Sequence, residues 1–178
     1  MAGGRIDTST PFTALNLAVL TVSDSRDESD DSSGDLLAER IASAGHFLRA
    51  RALVGHEKSA IQLKVQAWVA DPAIDVVITN GGTGLKPRDQ APEAIRPLFE
   101  REFEGFAVLW HMLSYDSVGV STMQSRACAG LAGGKILYVL PGSNGACRDG
   151  WDKLISLQLD SRFRPCSVVE LLPRFQKR

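Results

Sequence analysis

The stretch DVVITNGGTG, residues 75–84, decides the fold. Asp75 to Thr79 is a short apolar run of β-branched residues, the pattern of a strand buried on both faces. Glycine then occupies three of the four positions 81–84. Glycine permits positive φ and close backbone approach, so the N–H groups of such a loop can point at an anion. A tight turn with no ligand is the plainer reading. Beyond it runs LKPRDQAPEA, with Asp89 on the far side and Pro92 well suited to a helix start.

Working outward, Leu15 to Val22 (LNLAVLTV) is a second continuous apolar run and reads as another buried strand. A helix is expected from about Ser33, with Leu37, Ile41 and Ala44 on one face and Gly45 as its stop. His46 to Val54 reads as an edge-like strand. Ser59-Ala-Ile-Gln62 has the form of a capping box opening a helix that ends at Asp71-Pro72. Residues 92–102 and 103–115 read as helical, and Met123 to Ala132 as helical or irregular. Lys135 to Leu140 (KILYVL) reads as a strand, and Asn144 could cap a last helix carrying Trp151, Leu154, Ile155 and Leu159. Alternating strands and helices predict a three-layer α/β/α sandwich with a mostly parallel sheet. A mobile N-terminal tail, residues 1–13, precedes a single domain, residues 14–178. In such sheets ligands sit at the carboxyl ends of the strands. Those ends fall at Thr21-Ser23-Asp24, at Asn80 to Gly84 and at Pro141 to Ser143.

Composition bounds the function. The chain has 178 residues and a formal net charge of -1, so no global basic field points to nucleic acid. No run approaches the ~18 apolar residues of a membrane span. Cys128, Cys147 and Cys166 have no CxxC spacing, which suits reduced thiols in a cytoplasmic protein. His46, His56 and His111 are scattered, and no Walker A, GxGxxG, HExxH or serine elbow occurs. LPGS at 140–143 could cradle a phosphate or simply cap a helix. The acidic run from Asp24 to Asp35 reads as a solvated loop. Asp24 directly follows a core strand, where it could hold Mg²⁺ or a heterocycle. Asp89 could equally be a surface salt bridge or a helix cap.

TVSD, ITNGGTGLKPRDQAPEA, EGF, QSRACAG and LPGSNGACR together resemble the molybdopterin-binding family of molybdenum cofactor biosynthesis, most closely its bacterial MoaB branch. The likeness runs from about Leu15 to the tail. It implies a domain that binds molybdopterin and, in catalytic members, adenylylates its terminal phosphate with ATP and Mg²⁺. It also implies a homotrimer or homohexamer. Carried over by motif, Thr21, Ser23 and Asp24 would line the nucleotide or pterin cleft, and Gly81, Gly82, Thr83 and Gly84 would hold the anion. Asp89 would be the functional carboxylate at the metal, Ser125 and Arg126 would face substrate, and Pro141, Gly142 and Ser143 would border the nucleotide. Arg126, with Lys86 or Arg88, would offset phosphate charge. Three stretches depart from the family pattern. Gly55-His56-Glu57 stands where catalytic members carry Pro-Asp-Glu, Ala107 to His111 replaces Gly-Glu-x-x-Arg, and Asn80 replaces a common Thr. A molybdopterin adenylyltransferase and a non-catalytic molybdopterin-binding protein are therefore both open.

Overall fold

Side chains of a strand point alternately to opposite faces, and this divides the protein into layers. In the computed structural model, which describes residues 4–27 and 29–172, the central sheet has six strands. Strand β2 (Asn16–Val22) lies between β3 (Phe47–Val54) and β4 (Val76–Asn80), and β7 (Lys135–Leu140) follows β4. These four are mutually parallel, whereas β6 (Cys128–Ala132) and β5 (Arg101–Glu102) close the sheet antiparallel.

One face of this sheet, with Leu17, Val19, Ile78 and Tyr138, packs on helices α1 (Ser32–Ser43), α4 (Glu104–Val118) and α5 (Asn144–Gly150). The other face, with Ala18, Leu20, Val77 and Leu137, packs on α2 (Lys58–Ala70) and α3 (Ala91–Ile95). Burying a large aliphatic side chain contributes about 1.5–3 kcal/mol, so the two clusters dominate the fold's stability. The chain leaves β2 in one direction to build β3 and returns to its other side to build β4. Strand order therefore reverses beside β2, and a crevice opens there at the carboxyl ends.

Several local expectations are corrected. Cys128–Ala132 is a strand, joined to β7 through Gly133 and Gly134 at positive φ. Its small residues carry little β-propensity, and the glycine turn sets the hairpin. Pro97 stops the helix expected over 92–102, leaving α3 short before β5. The capping box at Ser59 does not form, because α2 begins at Lys58 after Glu57, which makes no side-chain cap bond. Asp31 caps α1, accepting from the Gly34 amide, and Ser143 rather than Asn144 caps α5. A π turn, Trp151–Ile155, joins α5 to α6 (Ser156–Leu159). Much of the expected mobile tail is docked. Strand β1 (Arg5–Ile6) pairs antiparallel with β8 (Phe163–Arg164), and Phe12 stacks against His46 at 5.1 Å. Glu28 of the acidic loop and the basic stretch 174–178 lie outside the described residues. Among the described residues no helix is long and apolar enough to cross a membrane.

Candidate functional site

The crevice is an open cleft of about 400 Å³. Its walls come from the β2–α1 loop (Ser23, Ser25, Arg26), His56, the glycine loop with Asp89, the Gln124-Ser125 turn, and Pro141-Gly142 after β7. Gly81 and Gly142 bring two strand-end loops together. A Cβ on Gly142 would lie 2.9 Å from the Gly81 Cα, and Gly81 itself has φ 98°.

The glycine loop is oriented by its carbonyls. Gly82 O accepts from the Ala91 amide at 3.0 Å, and Thr83 O and Gly84 O accept from Arg126 Nε at 3.4 and 3.0 Å. Arg126 also donates to Asp89 O and pairs with Glu93. In a planar trans peptide the C=O and N–H point in opposite directions. Tying these carbonyls back turns the Thr83 and Gly84 amides the other way, where neither has a protein acceptor among the described residues. Two such amides on a cleft wall can receive phosphate oxygens.

Asp89 lines the cleft and accepts from the Lys86 amide at 3.1 Å. His56 Nδ1 is 3.7 Å from Asp89 Oδ1, and the His56 amide donates to Asp24 Oδ1 at 2.9 Å. Ser125 Oγ accepts from Trp110 Nε1 at 3.0 Å, so its own proton is available to a ligand. Among the described residues no group of three or more His, Cys, Asp or Glu side chains is placed to hold a metal ion. Mg²⁺ commonly uses one or two carboxylates and completes its shell with phosphates and water. A single carboxylate such as Asp89 matches that pattern for an ion that arrives with a polyphosphate.

A buried polar thread backs the cleft. Thr21 Oγ1 donates to Asp31 Oδ2 at 2.8 Å, Asn80 Nδ2 donates to Thr21 Oγ1 at 3.0 Å, and Ser33 Oγ donates to Asn80 Oδ1 at 2.8 Å. Arg26 donates to Ser33 Oγ at 2.6 Å and to Gly142 O at 3.4 Å. Burial alone would raise the Asp31 pKa. Hydrogen bonds from Arg51, Thr21 and the Gly34 amide outweigh it and hold the carboxyl below its ordinary range.

Of the sequence-predicted residues, Ser23, Gly81, Gly82, Thr83, Gly84, Asp89, Ser125, Pro141 and Gly142 come together in the cleft. Four sit elsewhere. Thr21 is buried behind it, Asp24 is tied to the His56 amide, Ser143 caps α5, and Arg126 clamps the glycine loop rather than facing the cleft. Ser25, Arg26 and Gln124 line the cleft and were not anticipated there, and His56 of the departing Gly55-His56-Glu57 stretch joins them. The position of Arg26 just past a core strand's end was the available signal, masked by the acidic run around it. Burial pushes the Cys128 and Cys147 thiols up to about 11 and about 12, so they stay protonated packing groups.

Residues 18–161 match the family described as a probable molybdopterin binding domain. Molybdenum cofactor biosynthesis protein B of Escherichia coli (strain K12) is 47% identical over 159 residues, covering 89% of this chain and 94% of that one. The protein of the same name from Bacillus subtilis (strain 168) is 42% identical over 142 residues, covering 79% and 84%. A crystal structure of a molybdenum cofactor biosynthesis protein B superimposes with a TM-score of 0.84 at 36% identity, covering 93% of this chain and 98% of the other. The tungsten cofactor synthesizing protein MoaB from Pyrococcus furiosus gives 0.76 at 29% identity, covering 94% and 100%. With a family match across most of its length and a cleft at the sheet's switch point, this chain belongs to the molybdopterin-binding domain family.

Proposed function

We propose that this protein serves molybdenum cofactor biosynthesis and that its cleft binds molybdopterin by the terminal phosphate. The observation that carries this reading is the pair of outward-turned amides at Thr83 and Gly84 beside the Gly81–Gly142 contact. A phosphate monoester has a second pKa near ~6 and is largely dianionic at neutral pH. Backbone N–H groups and the Ser125 hydroxyl suit that charge.

Binding without turnover is the reading favoured by His56, which faces Asp89 where catalytic relatives would carry a carboxylate. Adenylyl transfer is the second reading, favoured by Asp89 and Ser125 lining the same cleft. In that case a phosphate oxygen of molybdopterin would attack the α-phosphorus of ATP, forming one P–O bond while the bond to pyrophosphate breaks. Mg²⁺ brought by the nucleotide would neutralise charge on the attacked phosphate. Asp89 would orient that ion, and the dianionic nucleophile needs no base. The experiment is to mix protein, molybdopterin and MgATP and follow pterin binding, pyrophosphate and adenylylated pterin. Binding without product supports the first reading, and no binding refutes both.

The assembly we propose is a homotrimer or homohexamer. Supporting it, α4 and the turn after it expose Val108, Met112, Tyr115, Val120 and Met123, an apolar face of the kind that packs against other subunits. Free thiols at all three cysteines suit a reducing compartment such as the cytoplasm.

A further inference from the structure

We infer that Arg26 is the cation that receives the ligand's phosphate and sets the cleft's preference for phosphorylated pterin, and that Asn80 is its positioning residue. The inference rests on the pterin reading above. Arg26 is the one Lys or Arg among the described residues lining the cleft, because the Arg126 guanidinium is occupied with the glycine loop's carbonyls and with Glu93. Its side chain is 30% exposed and crosses from the β2–α1 loop to the Gly142 carbonyl. Ser33 and Gly142 take two of its N–H groups, and the others have no hydrogen-bond acceptor among the described residues. A planar guanidinium so fixed, with donors left over, is shaped for a phosphate.

The fixing is done from behind. Ser33 Oγ accepts from Arg26 and donates to the Asn80 carboxamide oxygen, while the carboxamide nitrogen donates to Thr21. Asp31 stands 4.0 Å from Arg26 and adds attraction. Asn80 occupies the last position of β4 and is fully buried, so the carboxamide has one orientation that serves both neighbours. The shorter side chain of Thr would not span from Thr21 to Ser33. The departure at this position thus supports an arginine two residues beyond Asp24.

The test is an anaerobic fluorescence titration with molybdopterin and with its phosphatase-treated, dephosphorylated form. Wild-type protein is expected to bind the phosphorylated form about 10- to 100-fold more tightly. Arg26→Gln should cut that preference severalfold, the Thr83 and Gly84 amides and Ser125 retaining the remainder, and should weaken the dephosphorylated form far less. Arg26→Lys should keep part of it. Asn80→Ala should lower it in the same selective way, a pattern that general loosening of the core would not give. Equal weakening of both forms by Arg26→Gln, or a preference it leaves intact, overturns the inference while the pterin reading stands. If wild-type protein binds neither form, the pterin reading fails and takes this inference with it.

Discussion

His56 Nδ1 lies 3.7 Å from Asp89 Oδ1, and the same nitrogen lies 3.1 Å from the Arg88 carbonyl oxygen. The ring thus fills the space in front of the carboxylate best placed to meet a cation. Exchanging it for a second carboxylate would create the paired acidic oxygens that Mg²⁺ and a polyphosphate require. His56→Asp is expected to raise pyrophosphate release from MgATP and molybdopterin by at least about tenfold, equivalent to ~1.4 kcal/mol of barrier. Adding Asp89→Ala to that variant should remove the gain. A rate unchanged by His56→Asp would acquit this loop of limiting the chemistry.

Arg126 holds the glycine loop by its carbonyls. Arg126→Leu leaves the carbonyls of Thr83, Gly84 and Asp89 without their donor. We expect a loss of about 1–3 kcal/mol in stability, since the guanidinium is partly exposed. Amide exchange over residues 83–90 should accelerate, and molybdopterin affinity should fall. Hydrogen-exchange mass spectrometry reads the first effect, and unaltered protection there would show that the loop holds itself.

Gly81→Ala should be severe for two separate reasons. Its φ of 98° disfavours any L side chain, and the new Cβ would overlap the Val22 carbonyl oxygen. Denaturant unfolding is expected to show a loss of about 2–4 kcal/mol. Gly145, in α5 with nothing within 4 Å of its would-be Cβ, is the control. There Ala should be neutral or slightly stabilising, because glycine costs a helix about 1 kcal/mol. Equal effects at the two sites would refute the argument.

Stability should fall on mild acidification because of His46. Burial holds its pKa below the ordinary value, against a weaker upward pull from Asp160. Its Nδ1 accepts the Leu15 amide at 3.1 Å, which a protonated ring could not do. The unfolded chain takes up this proton at about pH 6.5, before the folded protein does. Stability contributed by neutral His46 is therefore complete above that pH and declines below it, until the folded group also titrates. Asp31 acts in the same sense at lower pH. Its folded pKa is depressed, so its contribution is present above about pH 4 and is lost as pH falls through the folded value. Urea unfolding at several pH values checks the slope, and His46→Gln should flatten the portion immediately below about pH 6.5.

Met112 and Tyr115 lie exposed on the outer side of α4. Met112→Glu would place a charge in any interface formed there. Light scattering should report an oligomer for the wild type and a smaller species for the variant. A wild-type monomer would refute the assembly proposed for this face.

The layering was readable because long buried strands announce themselves through continuous apolar runs. Leu15 to Val22 and Lys135 to Leu140 were placed nearly to the residue. Cys128 to Ala132 was not, because alanine and glycine give no period and the pairing with β7 is a tertiary fact. In the cleft, glycine and proline marked the loops that approach each other, and their roles are backbone roles visible in one dimension. Side-chain direction is not. Arg126 was carried over to the ligand with Ser125 by the family motif, yet its guanidinium is engaged by the carbonyls of the glycine loop. Arg26 lay within an acidic run whose local charge suggested solvent, and only the fold turns it toward Gly142.

The contact between Gly81 and Gly142 has a bearing on how this cleft can be re-engineered. Backbone forms its floor, and no side chain can be added there without forcing the loops apart. A library aimed at new ligands should leave the floor untouched and vary the rim at Ser25, His56 and Gln124. Recognition of the anion would then be inherited by every variant, and discrimination among the groups attached to it would be the trait open to selection.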